Sequence, residues 1–291
     1  MKIRMENCLF RLLDLIPRGI RVRLAHTPIV SIYRWLMRML GHVDGDGLRV
    51  IEGGPLRGRK LFIGSSDERG FISIREYLQG TYEPLVAEAI IRYCVAGSTA
   101  IDIGAHYGYF SLLMAQNVGK QGRCIAIEAN GENYSKIVET IRANPDVNLS
   151  VEHKAVSDKN GQAAFSKHQN SLMGHMVESG GDTDKLAIEL VETCTLDSYI
   201  HLAQVSHISV IKIDVEGAEL MVLEGSVETI IQYQPVLLIE VHKFPNSETM
   251  AKALLSKLIT WQYRVVYIGT EQVVDHESFS GGFVMAIPIS G

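Results

Sequence analysis

The run Thr99-Ala-Ile-Asp-Ile-Gly-Ala-His-Tyr-Gly-Tyr-Phe110 constrains the fold of this chain more than any other segment. It begins as a short apolar strand, passes through Asp102 and Gly104, and turns at Gly108. It then continues as Phe110-Ser-Leu-Leu-Met-Ala115, apolar enough for a helix buried against a sheet. A strand, a glycine turn and a helix start together place backbone N–H groups where a ligand can meet them.

From Thr99 onward strand and helix patterns alternate, the signature of a doubly covered parallel sheet in an α/β fold. Strands are expected at 99–103, 123–128, 149–152, 208–214, 235–241, 263–268 and 282–287, and helices at 108–117, 132–143, 217–232 and 247–258. The last two strands have no ordinary helix between them and should pair antiparallel at the end of the sheet. Residues 161–200 read as an insertion with strands at Ala163–Ser166 and Ala187–Thr193, a lid or recognition element to which His175 could belong. Upstream, helices are expected near Phe71–Leu78 and Glu83–Tyr93, with Pro84 in a first turn, and short strands at Leu48–Ile51 and Lys60–Ile63. The division is a helical and small-β extension over 1–70 and the main domain over 71–291.

Charge and composition exclude several classes of function. A net charge of −5 gives no reason to expect nucleic acid as partner. The balance is uneven, since residues 1–40 hold eight basic side chains against two acids. The stretch Ile29–Leu40 suits a peripheral contact with an anionic membrane or a partner; it equally suits a helical cap that exposes its arginines. No apolar run reaches the roughly 20 residues a membrane span needs, and the N-terminus lacks the pattern of a signal peptide. Cys8, Cys94, Cys124 and Cys194 form no Cys-x-x-Cys pair, as in a reducing, cytoplasmic setting.

Asp102 decides which ligand the glycine turn suits. A dinucleotide site carries Gly-x-Gly-x-x-Gly, whereas this turn reads Asp-x-Gly-x-x-x-Gly. A carboxylate repels a pyrophosphate and attracts a cation, so the turn fits S-adenosylmethionine, with its ammonium and sulfonium, better than NAD. Asp102 would orient the aminocarboxypropyl end, directly or through water; otherwise it caps the turn. Glu128 follows Gly104 by 24 residues at a strand end, where an acid accepts from two ribose hydroxyls. Asp214 and Glu216, in Ile211-Lys-Ile-Asp-Val-Glu-Gly-Ala-Glu219, and Glu240 and His242, in Ile239-Glu-Val-His242, gather at neighbouring strand ends. Three readings stay open for that group: deprotonation of a substrate hydroxyl, a divalent cation on oxygen ligands, or neutralisation by Lys212.

Together, Asp102–Gly108, Glu128, Thr195-Leu-Asp-Ser-Tyr199, Lys212–Glu219 and Ile239–His242 resemble the FkbM-type family of S-adenosylmethionine-dependent methyltransferases. The likeness covers about residues 80–245. It implies a Rossmann-like class I fold, a seven-stranded sheet with an antiparallel last strand. It also implies methyl transfer to a hydroxyl oxygen of a small molecule or glycan; no metal ligand is assigned. The donor would be held by Glu83, Asp102, Gly104, Ala105, His106, Gly108, Glu128, Ala129, Val156 and Asp214. His242 is the expected base, Glu216 its alternative, and Asp214 would position the acceptor. The chain departs from the family at Ala129, where proline is common, and at His106, where asparagine is usual. The rivals are an NAD-dependent oxidoreductase and a non-catalytic protein that docks through its basic N-terminus.

Overall fold

A computed structural model describes residues 47–64, 70–167, 175–177, 187–243, 248–270 and 272–289. The basic stretch Ile29–Leu40 lies outside the described residues. Strands β1 (Gly47–Val50) and β2 (Lys60–Ile63) form an antiparallel pair, followed by helices α1 (Gly70–Gln79) and α2 (Pro84–Tyr93). Pro84 opens α2, where its missing N–H costs nothing.

The main domain continues with β3 (Thr99–Ile103), α3 (Tyr109–Val118), β4 (Arg123–Glu128), α4 (Gly131–Ala143) and β5 (Leu149–His153). The insertion carries β6 (Ala155–Val156), β7 (Gly161–Lys167), β8 (His175–Val177) and β9 (Ala187–Cys194), then α5 (Leu196–Ala203). The chain returns through β10 (Ile208–Ile213), α6 (Glu219–Glu224), α7 (Val227–Tyr233), β11 (Val236–Val241), α8 (Glu248–Thr260), β12 (Tyr263–Tyr267) and β13 (Gly282–Pro288).

Seven of these strands form one sheet in the order β12-β13-β11-β10-β3-β4-β5. β13 runs antiparallel to both its neighbours, while the pairs from β11 to β5 are all parallel. Every residue of β3 and β10 is buried, as expected of strands covered on both faces. One face packs Ala100, Val210 and Leu238 against Leu112, Leu113 and Met114 of α3. The other packs Ile101, Ile211 and Ile239 against Leu254 and Leu258 of α8. Each of these buried Leu and Ile side chains contributes about 1.5–3 kcal/mol. α4 carries β2 on its flank: the Phe62 N–H donates to Thr140 Oγ1 at 3.0 Å and the Lys60 N–H to Asn144 Oδ1 at 3.2 Å.

Two expectations are corrected. The helix expected over 217–232 is two helices, because the chain must pass close to the insertion at Gly225. A β-carbon there would stand 1.9 Å from the Ser157 carbonyl oxygen. The insertion is a four-stranded sheet, β6-β9-β7-β8, with α5 after it. Thr195 caps α5 by accepting the Ser198 N–H. Ala155 and Val191 of this small sheet pack against Ala129, so its described strands stand beside the end of β4.

Candidate functional site

The parallel strands deliver their carboxyl ends to one edge, and the sequence places acids there. Glu128 ends β4 nearly buried, and its two oxygens accept the N–H of His106 at 2.7 Å and of Asn130 at 2.8 Å. Burial pushes its pKa up to about 7, against the pull of those two bonds. The Gly104 and Ala105 N–H groups bond to the Ile127 carbonyl and the Gly108 N–H to that of Ala105. The turn therefore spends these donors on itself, and what it offers a ligand is its shape and the fixed Glu128. His106 adopts φ 52°, and burial drives its imidazole down to about 3, so the ring is neutral. Its Nδ1 lies 3.4 Å from the Tyr77 hydroxyl.

Asp102, expected to orient the donor's aminocarboxypropyl end directly or through water or else to cap the turn, is enclosed beside Ser111 and Lys212. It is 0% exposed; Oδ2 accepts from the Ser111 hydroxyl at 2.6 Å, and Oδ1 lies 3.5 Å from Lys212 Nζ. Strand register explains this, because Asp102 and Lys212 are direct partners across β3 and β10. Lys212, 2% exposed, also donates to Asp214 Oδ2 at 3.0 Å and sits 5.6 Å from the centre of the Phe110 ring. Burial disfavours its charge, yet Asp214 and Asp102 outweigh burial and raise its pKa. Lys212 is the cation that one of the three sequence readings set against these acids. Its only sequence signal is a lone cation inside an apolar strand.

Asp214 is the half-buried acid of the pair. The turn after it bends through Glu216 at φ 54° and Gly217, then enters α6 at Glu219. His242, just past β11, lies within this turn's reach. Its Nδ1 is 2.8 Å from Glu219 Oε1, and its Nε2 is 3.2 Å from Glu216 Oε2, 3.7 Å from Asp214 Oδ1 and 3.9 Å from Glu240 Oε1. Burial works against charge on the ring, but the Glu219 bond and the charges of Glu216, Asp214 and Glu240 push its pKa up to about 9. Burial and the charge of Asp214 raise Glu240 to about 7. Asp214, Glu240 and His242 offer atoms within 4.8 Å of one another. That spacing suits ion pairs through a protonated ring and equally a shared cation.

Glu83 precedes Pro84 in a left-handed conformation, φ 39°, and its side chain makes no cap to α2. Its charge acts on Lys212 and Glu240. His106 in turn feels the charges of Asp214 and Lys212. The Glu128 half and the His242 half are thus parts of one electrostatic site.

The profile of the methyltransferase FkbM domain matches residues 102–265, more than half of the chain. The chain belongs to the FkbM methyltransferase family. It is similar in structure to methyltransferase FkbM from Methylobacillus flagellatus KT, at 14% identity and TM-score 0.46. That comparison covers 77% of this chain and 55% of the other, so this chain spans about half the length of that relative. It is also similar to fibrillarin of Aeropyrum pernix, described with natively bound S-adenosyl-L-methionine, at 12% identity and TM-score 0.41, over 70% and 74% of the two chains. A SAM-dependent methyltransferase from Aquifex aeolicus aligns at 16% identity and TM-score 0.36, over 69% and 88%. A search of curated proteins gave no match. The sheet order and antiparallel β13 are those of the Rossmann-like class I methyltransferase fold, as the resemblance implied. Among the described residues no helix is long and apolar enough to cross a membrane.

Of the expected site residues, Asp214, Glu216 and His242 come together, and the charge of Glu83 acts on their neighbours Lys212 and Glu240. Gly104, Ala105, His106, Gly108 and Glu128 form the neighbouring turn. Ala129 and Val156 lie towards the insertion, Val156 paired with Cys194 of β9 and its side chain buried. Glu219 belongs with the site as well, and only the juxtaposition of β10 and β11 reveals it.

Proposed function

We propose that the protein is an S-adenosylmethionine-dependent O-methyltransferase acting on a hydroxyl of a small molecule or glycan. One observation carries this reading: His242 sits among Asp214, Glu216, Glu219 and Glu240 beside the turn that fixes Glu128. The residues fit the donor. Glu128 presents a carboxylate for a ribose diol, Asp214 and Glu83 present carboxylates for cationic groups, and Gly104 lets its turn close onto the backbone of Asp214. When bound, S-adenosylmethionine supplies an electrophilic methyl group on a sulfonium.

The chain's own residues then position and deprotonate. The sequence favours His242 as base, but a pKa of about 9 leaves the ring protonated at neutral pH, with no lone pair to offer. Glu216, 3.2 Å from Nε2, is the better proton acceptor, and the imidazolium steadies its charge. Asp214, held by Lys212, orients the acceptor. Glu216 would take the hydroxyl proton, leaving the acceptor oxygen ready for the methyl group that a bound donor supplies. Alignment and base catalysis each contribute, the latter roughly 10²–10⁴-fold. The described cysteines Cys94, Cys124 and Cys194 are free thiols, in keeping with a cytoplasmic enzyme.

Methyl-labelled S-adenosylmethionine incubated with the protein and an extract of its source cells tests the reading. Label should appear on a hydroxyl-bearing product. Binding of NAD in preference to S-adenosylmethionine, or sedimentation with anionic vesicles without any transfer, would sink it.

A further inference from the structure

Glu219 is the first residue of α6, where an acid suits the positive end of a helix. Its contacts point to a different task. It is 4% exposed, and a single oxygen, Oε1, accepts the Gly217 N–H at 2.9 Å and faces His242 Nδ1 at 2.8 Å. An acceptor at that distance requires Nδ1 to carry a proton, which fixes the ring and turns Nε2 towards Glu216. The Gly217 bond ties the same carboxylate to the turn that holds Glu216. Two acids three positions apart thus grip opposite nitrogens of one imidazole.

We infer that Glu219 is a positioning residue for methyl transfer: it touches neither donor nor acceptor, and acts by fixing the His242 ring against Glu216. The role rests on the methyl-transfer reading of the cleft. A carboxylate behind a functional histidine sets its orientation and proton placement in other chemistries for the same physical reason.

The test uses the full chain labelled with ¹⁵N-histidine, as wild type, Glu219→Gln, His242→Ala and the double variant. In the wild type, the His242 Nδ1 proton should give a slowly exchanging downfield signal that is lost in His242→Ala and lost or shifted far upfield in Glu219→Gln. Calorimetry with S-adenosylmethionine should give affinities within about twofold of wild type for every variant. Transfer of labelled methyl into the cell extract should fall about tenfold or more in Glu219→Gln. The same change made in the His242→Ala background should alter transfer less than about twofold.

An equal fold loss in both backgrounds would show Glu219 to be a helix-end residue only, and overturn the inference. So would a wild-type spectrum without the Nδ1 signal, a result that does not depend on any variant folding. If the signal behaves as expected while no form transfers methyl groups, the transferase reading falls, a failure separate from that of the Glu219–His242 pairing.

Discussion

Gly104 lies directly beneath Asp214: a β-carbon added to the glycine would stand 1.8 Å from the Asp214 carbonyl oxygen. The turn after β3 and the turn after β10 are therefore in backbone contact, and Gly104 holds φ 77° to allow it. Alanine there meets two penalties, a left-handed backbone and a clash that only backbone movement relieves. Gly104→Ala should destabilise the protein by about 3 kcal/mol, read by urea unfolding, and abolish S-adenosylmethionine binding by calorimetry. Retained binding would mean that the two turns do not form the donor's floor.

Lys212, itself buried, pairs with the buried Asp102 and the half-buried Asp214. Removing one partner of such a buried cluster typically costs about 3–5 kcal/mol, because the remaining charge is stranded. Lys212→Met should fall in that range by chemical unfolding. Adding Asp102→Asn should recover part of the loss, and no recovery would argue against direct coupling.

If Glu128 holds the donor's ribose as proposed, donor affinity depends on pH. Its folded pKa, about 7, exceeds the ordinary carboxylate value, so its contribution to stability is full below about 4.5 and lost as pH rises through 7. The ionised form is the better acceptor of ribose hydroxyls, so donor binding draws it towards ionisation. Affinity for S-adenosylmethionine should rise from pH 6 to pH 8. Glu128→Gln should flatten that rise and weaken binding about 10–100-fold, as expected for charge-assisted hydrogen bonds. A pH-independent wild type would refute the assignment.

His242 has the same sign by a different route. Its folded pKa, about 9, lies above the free value, so its ion pairs stabilise the fold fully below about 6.5 and fade as pH rises through 9. If the imidazolium supports Glu216, turnover should decline above about pH 9. A rise to a plateau there would instead restore His242 as the base. His242→Ala should lower turnover roughly 10²-fold while donor affinity stays nearly unchanged.

Both ring nitrogens of His242 face carboxylates, and Lys212 pairs with Asp102 and Asp214, so ion pairs stand where a cation could. Methyl transfer should survive dialysis against a chelator, and added magnesium should not raise it. Loss on chelation with recovery on magnesium would mean that a cation does displace the proton.

Much of the fold was legible because parallel strands buried on both faces are short apolar runs. Thr99–Ile103 and Arg123–Glu128 stand where the residue pattern puts them. Local pattern did not reveal the break at Gly225, which answers to a carbonyl nearly seventy residues earlier. The same limit governs the site. That Asp102, Asp214 and His242 end strands is written locally. Whether an acid faces a ligand or its neighbour is decided by register, and Lys212 opposite Asp102 turns the first acid inward. Glu219 stands in plain view in the motif, but its role exists only once β11 lies beside β10.

β13 enters the sheet between β11 and β12, pairing Glu240 with Phe283 and Val241 with Gly282. The strand that leads into His242 thus gains its second neighbour from residues translated some forty codons later. A nascent chain halted before them carries every side chain named above yet lacks the edge that holds β11 in place. Assembly of the site therefore waits for β13, and a ribosome-stalled series that carries residues 282–288 clear of the exit tunnel should show donor binding arise in a single step.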